Sequence, residues 1–123
     1  MARIVTVDLG PDTRARAYPI VIGDGVLGEL GPRLADTVRG RTALVVSDAN
    51  LPASLLDAAR DSLAAAGFSV EHTSITATEA NKTIDTASRL VHHMTRLRLE
   101  RRDPLVALGG GIVGDVAGFA AAT

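Results

Sequence analysis

The chain contains no cysteine. Disulfides and thiolate metal sites are therefore unavailable to it, and a reducing compartment is permitted. Aromatic side chains are limited to Tyr18, Phe68 and Phe119, too few for a base-stacking surface on single-stranded nucleic acid. A strong charge of either sign is also lacking. The formal net charge of −1 argues against a general nucleic-acid or anionic-membrane surface. No apolar run approaches the roughly 20 residues of a membrane helix. The N-terminus, Met1-Ala2-Arg3-Ile4-Val5-Thr6-Val7-Asp8, alternates like a strand and lacks the apolar centre of a signal peptide. A cytoplasmic location is the default expectation. Lysine is nearly absent: of 13 lysines and arginines, only Lys82 is a lysine.

What is present reads as one α/β domain. With 123 residues, 46% of them hydrophobic and 22% charged, the chain can bury roughly two thirds of its unfolded surface as an ordinary globular unit. Ile4–Leu9 and Tyr18–Ile22 are short β-branched runs separated by Gly10-Pro11-Asp12, which predicts a hairpin, placed at a sheet edge. Val26, Leu27, Leu30, Leu34 and Val38 follow near helical spacing, interrupted by Gly28, Gly31 and Pro32. From Thr42 onward, strand and helix alternate. Thr42–Val46 is a continuous apolar run, as a parallel strand covered on both faces requires. Pro52 opens a helix whose stripe is Leu55, Leu56, Ala59, Leu63 and Ala66, ended by Gly67. Phe68–Ile75 is a second strand. Glu79 to about Leu99 reads as the longest helix, with Ile84, Ala87, Val91, Met94 and Leu97 or Arg98 on its buried side. Asp103-Pro104 stops it, and Leu105–Leu108 is a third strand. The β-α-β-α-β order predicts a Rossmann-like parallel sheet with flanking helices and the N-terminal β-hairpin. Ligands in such sheets bind beyond the carboxyl ends of the strands.

The stretch Leu105 to Thr123 carries the sharpest signal. Strand, three glycines and an apolar helix make an anion cradle: glycines admit a phosphate close to the backbone, and the helix start offers N–H groups and a positive dipole end. Gly109, Gly111 and Gly114 satisfy G-x-G-x-x-G, a weak pattern alone. A turn that packs helix on strand would also use these glycines. Other residues follow strand ends or open helices and have a plain reading too. Asp48 and Asn50 suit capping of the helix that Pro52 enters. Glu79 completes a capping box, Thr76-x-x-Glu79, with Lys82 one turn on along the same face. Asp115 is at home near a helix N-terminus without any ligand. His92 and His93 point about 100° apart on a helix and chelate one ion poorly, and His72 lies elsewhere. Arg96, Arg98, Arg101 and Arg102 read as a solvated helix C-terminus.

Taken together, GGGIVGDVAGFAAAT resembles the signature of the 3-dehydroquinate synthase family, GGG-x-x-GD-x-x-GF-x-AAT. Ser47-Asp48-Ala49-Asn50 resembles the family's D-x-N, and Glu79-Ala80-Asn81-Lys82 its GE-x-x-K, with Thr78 in place of the usual glycine. Tyr18–Gly23 and Arg102-Asp103 are similar as well. The resemblance spans the chain but only the N-terminal third of a full-length member. It implies an NAD-binding portion, residues 1–123, incomplete because the helix after the glycines has run about three turns at Thr123. It implies cofactor contacts at Asp48, Asn50, Glu79, Lys82, Gly110, Gly111, Ile112, Val113, Gly114 and Asp115, with Asp115 toward the nicotinamide. It also implies a parent lyase of aromatic amino acid biosynthesis (the shikimate pathway) that converts the sugar-acid phosphate DAHP to 3-dehydroquinate using NAD and zinc or another divalent metal. The metal ligands and most substrate contacts of that parent lie in a C-terminal domain, so this chain alone is expected to be inactive and holds no catalytic or metal residue. A homodimer is compatible with the apolar surface a missing domain would leave. Three alternatives stand beside this: a related sugar-phosphate cyclase or metal-dependent polyol dehydrogenase, a non-catalytic nucleotide-binding module, and an interaction domain with a degenerate site.

Overall fold

The structure, a computed structural model, describes residues 2–10 and 17–123. Two sheets and four helices follow in chain order: β1 (Arg3–Val7), β2 (Tyr18–Ile22), a 3-10 turn (Val26–Glu29), α1 (Leu30–Thr37), β3 (Thr42–Asp48), α2 (Ala53–Ala65), β4 (Ser69–Ile75), a second 3-10 turn (Glu79–Asn81), α3 (Ile84–Arg96), β5 (Leu105–Leu108) and α4 (Gly111–Ala122).

β3 is the centre of a three-stranded parallel sheet ordered β4-β3-β5. Its run Ala43-Leu44-Val45-Val46 is fully buried because helices cover both faces. The two-residue pleat sends Leu44 and Val46 to one side and Ala43 and Val45 to the other. Leu44 and Val46 meet Ala87 and Leu90 of α3 and Val113, Val116, Ala117 and Ala120 of α4. Ala43 and Val45 meet Leu63 of α2 and Phe68, with Leu30 and Leu34 of α1 packed around them. α1 and α2 approach so closely that a Cβ at Gly31 would overlap the Ser62 carbonyl, and Ser62 Oγ accepts the Gly31 N–H at 2.9 Å.

The hairpin is antiparallel, with Val5 opposite Ile20, but it forms its own two-stranded sheet instead of extending the edge of the parallel one. Pro11 and Asp12 of its expected turn lie outside the described residues.

Two boundaries and one buried face depart from the sequence pattern. The segment from Val26 splits into a 3-10 turn and α1, with Pro32 accommodated in the first turn of α1. The stripe of α2 is narrower than its leucines suggest, since Leu55 is exposed while Ala59 and Leu63 are fully buried. The helix expected from Glu79 starts instead at Ile84. Thr83 has extended backbone and its Oγ1 accepts the Thr86 N–H at 3.2 Å, which caps α3, while Glu79 stays in the preceding turn. Ile84, now the first residue of the helix, is 71% exposed instead of buried.

Candidate functional site

The carboxyl ends of β3, β4 and β5 form one rim. At the end of β3, Asp48 Oδ1 accepts the Asn50 N–H at 3.0 Å and the Asp48 carbonyl accepts the Leu51 N–H at 3.0 Å. This turn leaves α2 without a side-chain cap; its N-cap position is Pro52. The capping role open to Asp48 and Asn50 is therefore not taken up. The second Asp48 oxygen and the Asn50 side chain have no partner among the described residues.

At the end of β5, Gly109 adopts φ +155°, and a Cβ there would stand 2.9 Å from Val113 Cγ2 and 3.4 Å from Asp48 Cβ. This glycine does what the packing reading requires: it lets α4 fold back on the strand end and brings the turn beside Asp48. The next glycines behave differently. A Cβ at Gly110, Gly111, Gly114 or Gly118 would meet nothing within 4 Å. Packing inside this chain does not require glycine at these four places, although glycine in a helix costs about 1 kcal/mol relative to alanine. Gly114 N–H closes the first α-helical bond onto Gly110 O at 3.1 Å. The N–H groups of Gly111, Ile112 and Val113 precede that ladder and face the open turn, with the positive end of the helix dipole behind them.

The loop after β4 closes over the same helix. Asn81 Nδ2 donates to Thr76 O at 2.9 Å, and the Lys82 N–H to Glu79 O at 3.1 Å, which fixes the turn ahead of Thr83. Lys82 Nζ then reaches Asp115 Oδ2 at 2.8 Å. The Asp115 hydrogen bond, then its charge, then the charge of Glu79 hold the Lys82 ammonium above its ordinary value, so it is a firm cation at neutral pH. Asp115 stands in the second turn of α4, past the free N–H groups. Beside the pair is a groove of about 310 Å³ with Thr83, Ile84, Ala87, Val116 and Phe119 along it. Phe119 and Ile84 are exposed there.

The ten residues singled out in the sequence thus fall on two adjoining parts of one rim: Asp48, Asn50 and the glycine turn, and Glu79, Lys82 and Asp115. The expected capping box of Thr76 and Glu79 does not form; the second 3-10 turn has no side-chain cap. Glu79 and Lys82 share a turn but not one α-helical face. Sequence reasoning missed the contact between Lys82 and Asp115, thirty-three positions apart, and the groove residues Thr83 and Ile84. The lone lysine was the signal available.

Among the described residues no cluster of three His, Cys, Asp or Glu side chains is placed to hold a metal. His72 Nε2 lies 2.8 Å from Ser47 Oγ within the sheet, and burial, then the charge of Arg60, push its pKa down. No described helix is long and apolar enough to cross a membrane.

Residues 72–123 match the family described as 3-dehydroquinate synthase N-terminal. The chain is 44% identical over 119 residues to a 3-dehydroquinate synthase of Pelotomaculum thermopropionicum, covering 97% of this chain and 31% of that protein. It is 42% identical to one of Rhodospirillum rubrum, covering 97% and 30%. In fold it is similar to 2-deoxy-scyllo-inosose synthase, with TM-score 0.83 at 24% identity over 98% of this chain and 33% of that one. A second structure of that enzyme, complexed with carbaglucose-6-phosphate, NAD+ and Co2+, gives TM-score 0.84 over 98% and 31%. The chain spans about a third of the length of these relatives. In sequence the chain is thus similar to 3-dehydroquinate synthases over nearly its whole length, and its residues 72–123 match that family's N-terminal model.

Proposed function

We propose that this chain is the NAD-binding portion of a 3-dehydroquinate synthase and that the rim of its parallel sheet holds the dinucleotide. The observation that carries this reading is the open glycine turn. Gly110 and Gly111 leave free the volume a side chain would fill, directly beside the N–H groups of Gly111, Ile112 and Val113. A diphosphate fits that donor set, and the helix dipole favours its charge. Asp48 has a carboxylate oxygen left to accept from ribose hydroxyls, with Asn50 alongside. Lys82, Glu79 and Asp115 stand at the other end of the turn, toward the nicotinamide. When bound, NAD supplies reversible hydride acceptance, the chemistry that acidifies a neighbouring C–H for loss of phosphate and then returns the hydride.

In the whole protein the substrate would be the sugar-acid phosphate DAHP and the product 3-dehydroquinate. The relative crystallised with NAD+ and Co2+ supports a dinucleotide and a divalent metal in enzymes of this fold. The described residues do not fit the metal, so it would be held by other parts of the protein. The chain alone should then bind NAD but release no phosphate from DAHP. A second reading, a part of another sugar-phosphate cyclase, draws on the fold likeness to 2-deoxy-scyllo-inosose synthase; the 44% identity to a dehydroquinate synthase favours the first. Calorimetric titration of the chain with NAD, repeated on Lys82→Ala and Asp115→Ala, tests the proposal. Binding that weakens in both variants supports it. Equal binding by all three, or none by a folded sample, contradicts it.

A further inference from the structure

We infer that the opposite end of the sheet is a docking surface for an acidic polypeptide segment. A helix that returns between parallel strands runs against them, so the C-terminus of α3 lies at the end where the strands begin. Two short segments meet there. The Gly40 N–H donates to Arg102 O at 3.0 Å, and a Cβ on Gly40 would overlap that carbonyl. Asp103 Oδ1 accepts the N–H groups of Arg41 and Thr42, each at 3.2 Å, and Oδ2 accepts that of Glu100 at 2.8 Å. These bonds bring Arg39 and Arg41 against the segment that carries Arg98, Arg101 and Arg102.

All five arginines are exposed, and none of their side chains has a hydrogen bond or ion pair among the described residues. On these two segments they face only two carboxylates, and Asp103 is committed to the backbone on both oxygens. The concentration of positive charge is marked in a chain whose net charge is −1.

Arg98 adds an independent observation. It closes α3 at φ +56°, with the Leu99 N–H bonded to Met94 O at 3.2 Å. That is the helix-ending position where glycine is usual, and an arginine there carries backbone strain that glycine would avoid. Strain kept at an exposed position, where the side chain has no partner among the described residues, points to a use for that side chain in a contact with another molecule.

The kind of partner follows from the surroundings. The arginines do not converge on one pocket: Arg39 and Arg41 line a cavity of about 290 Å³ with Val38 and Phe68, and Arg101 lines another of about 360 Å³. The second has Val91, Met94, Leu99 and Leu105 along it, which would take an apolar side chain, and Glu100 and Asp103 also line it, so the partner's carboxylates would lie over the arginines and not in this cavity. Phe68 is buried and offers no stacking face for a base. An extended chain of carboxylates with an apolar anchor fits this spread better than a compact phosphate or a nucleic acid.

The test is fluorescence anisotropy of a labelled Glu-Glu-Leu-Glu-Glu peptide with the 123-residue chain at low and high salt. The expected result is salt-sensitive binding that weakens about tenfold in Arg41→Glu and in Arg102→Glu and is unchanged in Arg89→Met, which removes an exposed cation in the N-terminal half of α3. Arg98→Gly separates use from mere solvation: it should raise the thermal midpoint while weakening the peptide. Absence of salt-sensitive binding overturns the inference. So does undiminished binding in folded Arg41→Glu and Arg102→Glu, or in Arg98→Gly. Tighter binding of inorganic tripolyphosphate or of a single-stranded oligonucleotide than of the peptide also overturns it.

Discussion

Lys82 and Asp115 meet at 2.8 Å, joining the loop that follows β4 to the second turn of α4. Their side chains are 42% and 62% exposed, so solvent screens the pair and it adds little to folding. Its position is the informative part: it sits where a loop and a glycine turn converge on one rim. We expect Lys82→Met to leave the unfolding midpoint nearly unchanged and to weaken NAD about tenfold, the cost of one charged hydrogen bond. Paired urea unfolding and calorimetry check both halves.

The pH dependence of the same pair has a defined sign. The folded-state pKa of Lys82 is raised above its ordinary 10.5. The contribution is therefore complete below pH 10.5 and lost as pH rises through the higher folded value. The small difference in urea midpoint between the wild type and Lys82→Met should stay constant from pH 7 to 10 and vanish above that; a difference that grows with rising pH would contradict the sign.

His72 titrates in the opposite sense. Burial, then the charge of Arg60, lower its pKa from 6.5, so the folded state favours the neutral ring that bonds Ser47. Its contribution is present above pH 6.5 and is lost as pH falls toward the depressed folded value. The thermal midpoint of the wild type should drop between pH 7 and 5 more steeply than that of His72→Gln.

The glycines of the turn should separate by position. Gly109→Ala places a Cβ against Val113 at positive φ and should destabilise by about 1–3 kcal/mol. Gly114→Ala has free space and a helical backbone, and should stabilise by about 0.5–1 kcal/mol. Gly111→Ala should fold normally yet weaken NAD about tenfold, because its methyl fills the phosphate volume. Chemical denaturation with NAD titration on the three variants distinguishes these outcomes.

Thr83→Ala should cost about 1 kcal/mol and lower the thermal midpoint by a few degrees, whereas Glu79→Ala should be neutral to folding. The reverse order would place the start of α3 at Glu79.

That last contrast marks what the sequence could and could not convey. The alternation of strands and helices was legible because β3 is buried on both faces and reads as an unbroken apolar run. The rim was legible because its residues follow strand ends. The start of α3 was not. Thr76-x-x-Glu79 matches a capping box in sequence, yet the helix is capped by Thr83, after Asn81 binds back to Thr76 O and closes the preceding turn. Ile84 and Leu55 looked like core positions by spacing alone, but each falls on the outer side once the helices are docked. The pairing of Lys82 with Asp115 depends on how α3 and α4 are set beside each other, which no local pattern encodes. The separate hairpin sheet has the same origin, since strand propensity says nothing about which sheet a strand joins.

The most direct test of the central claim is the amide NMR spectrum of the chain titrated with NAD. The account predicts that the largest shifts fall on Gly110, Gly111, Ile112 and Val113, with smaller ones at Asn50 and Lys82, and none at Arg39–Arg41. Shifts centred away from the glycine turn, or an unchanged spectrum from the folded chain at saturating NAD, would contradict it.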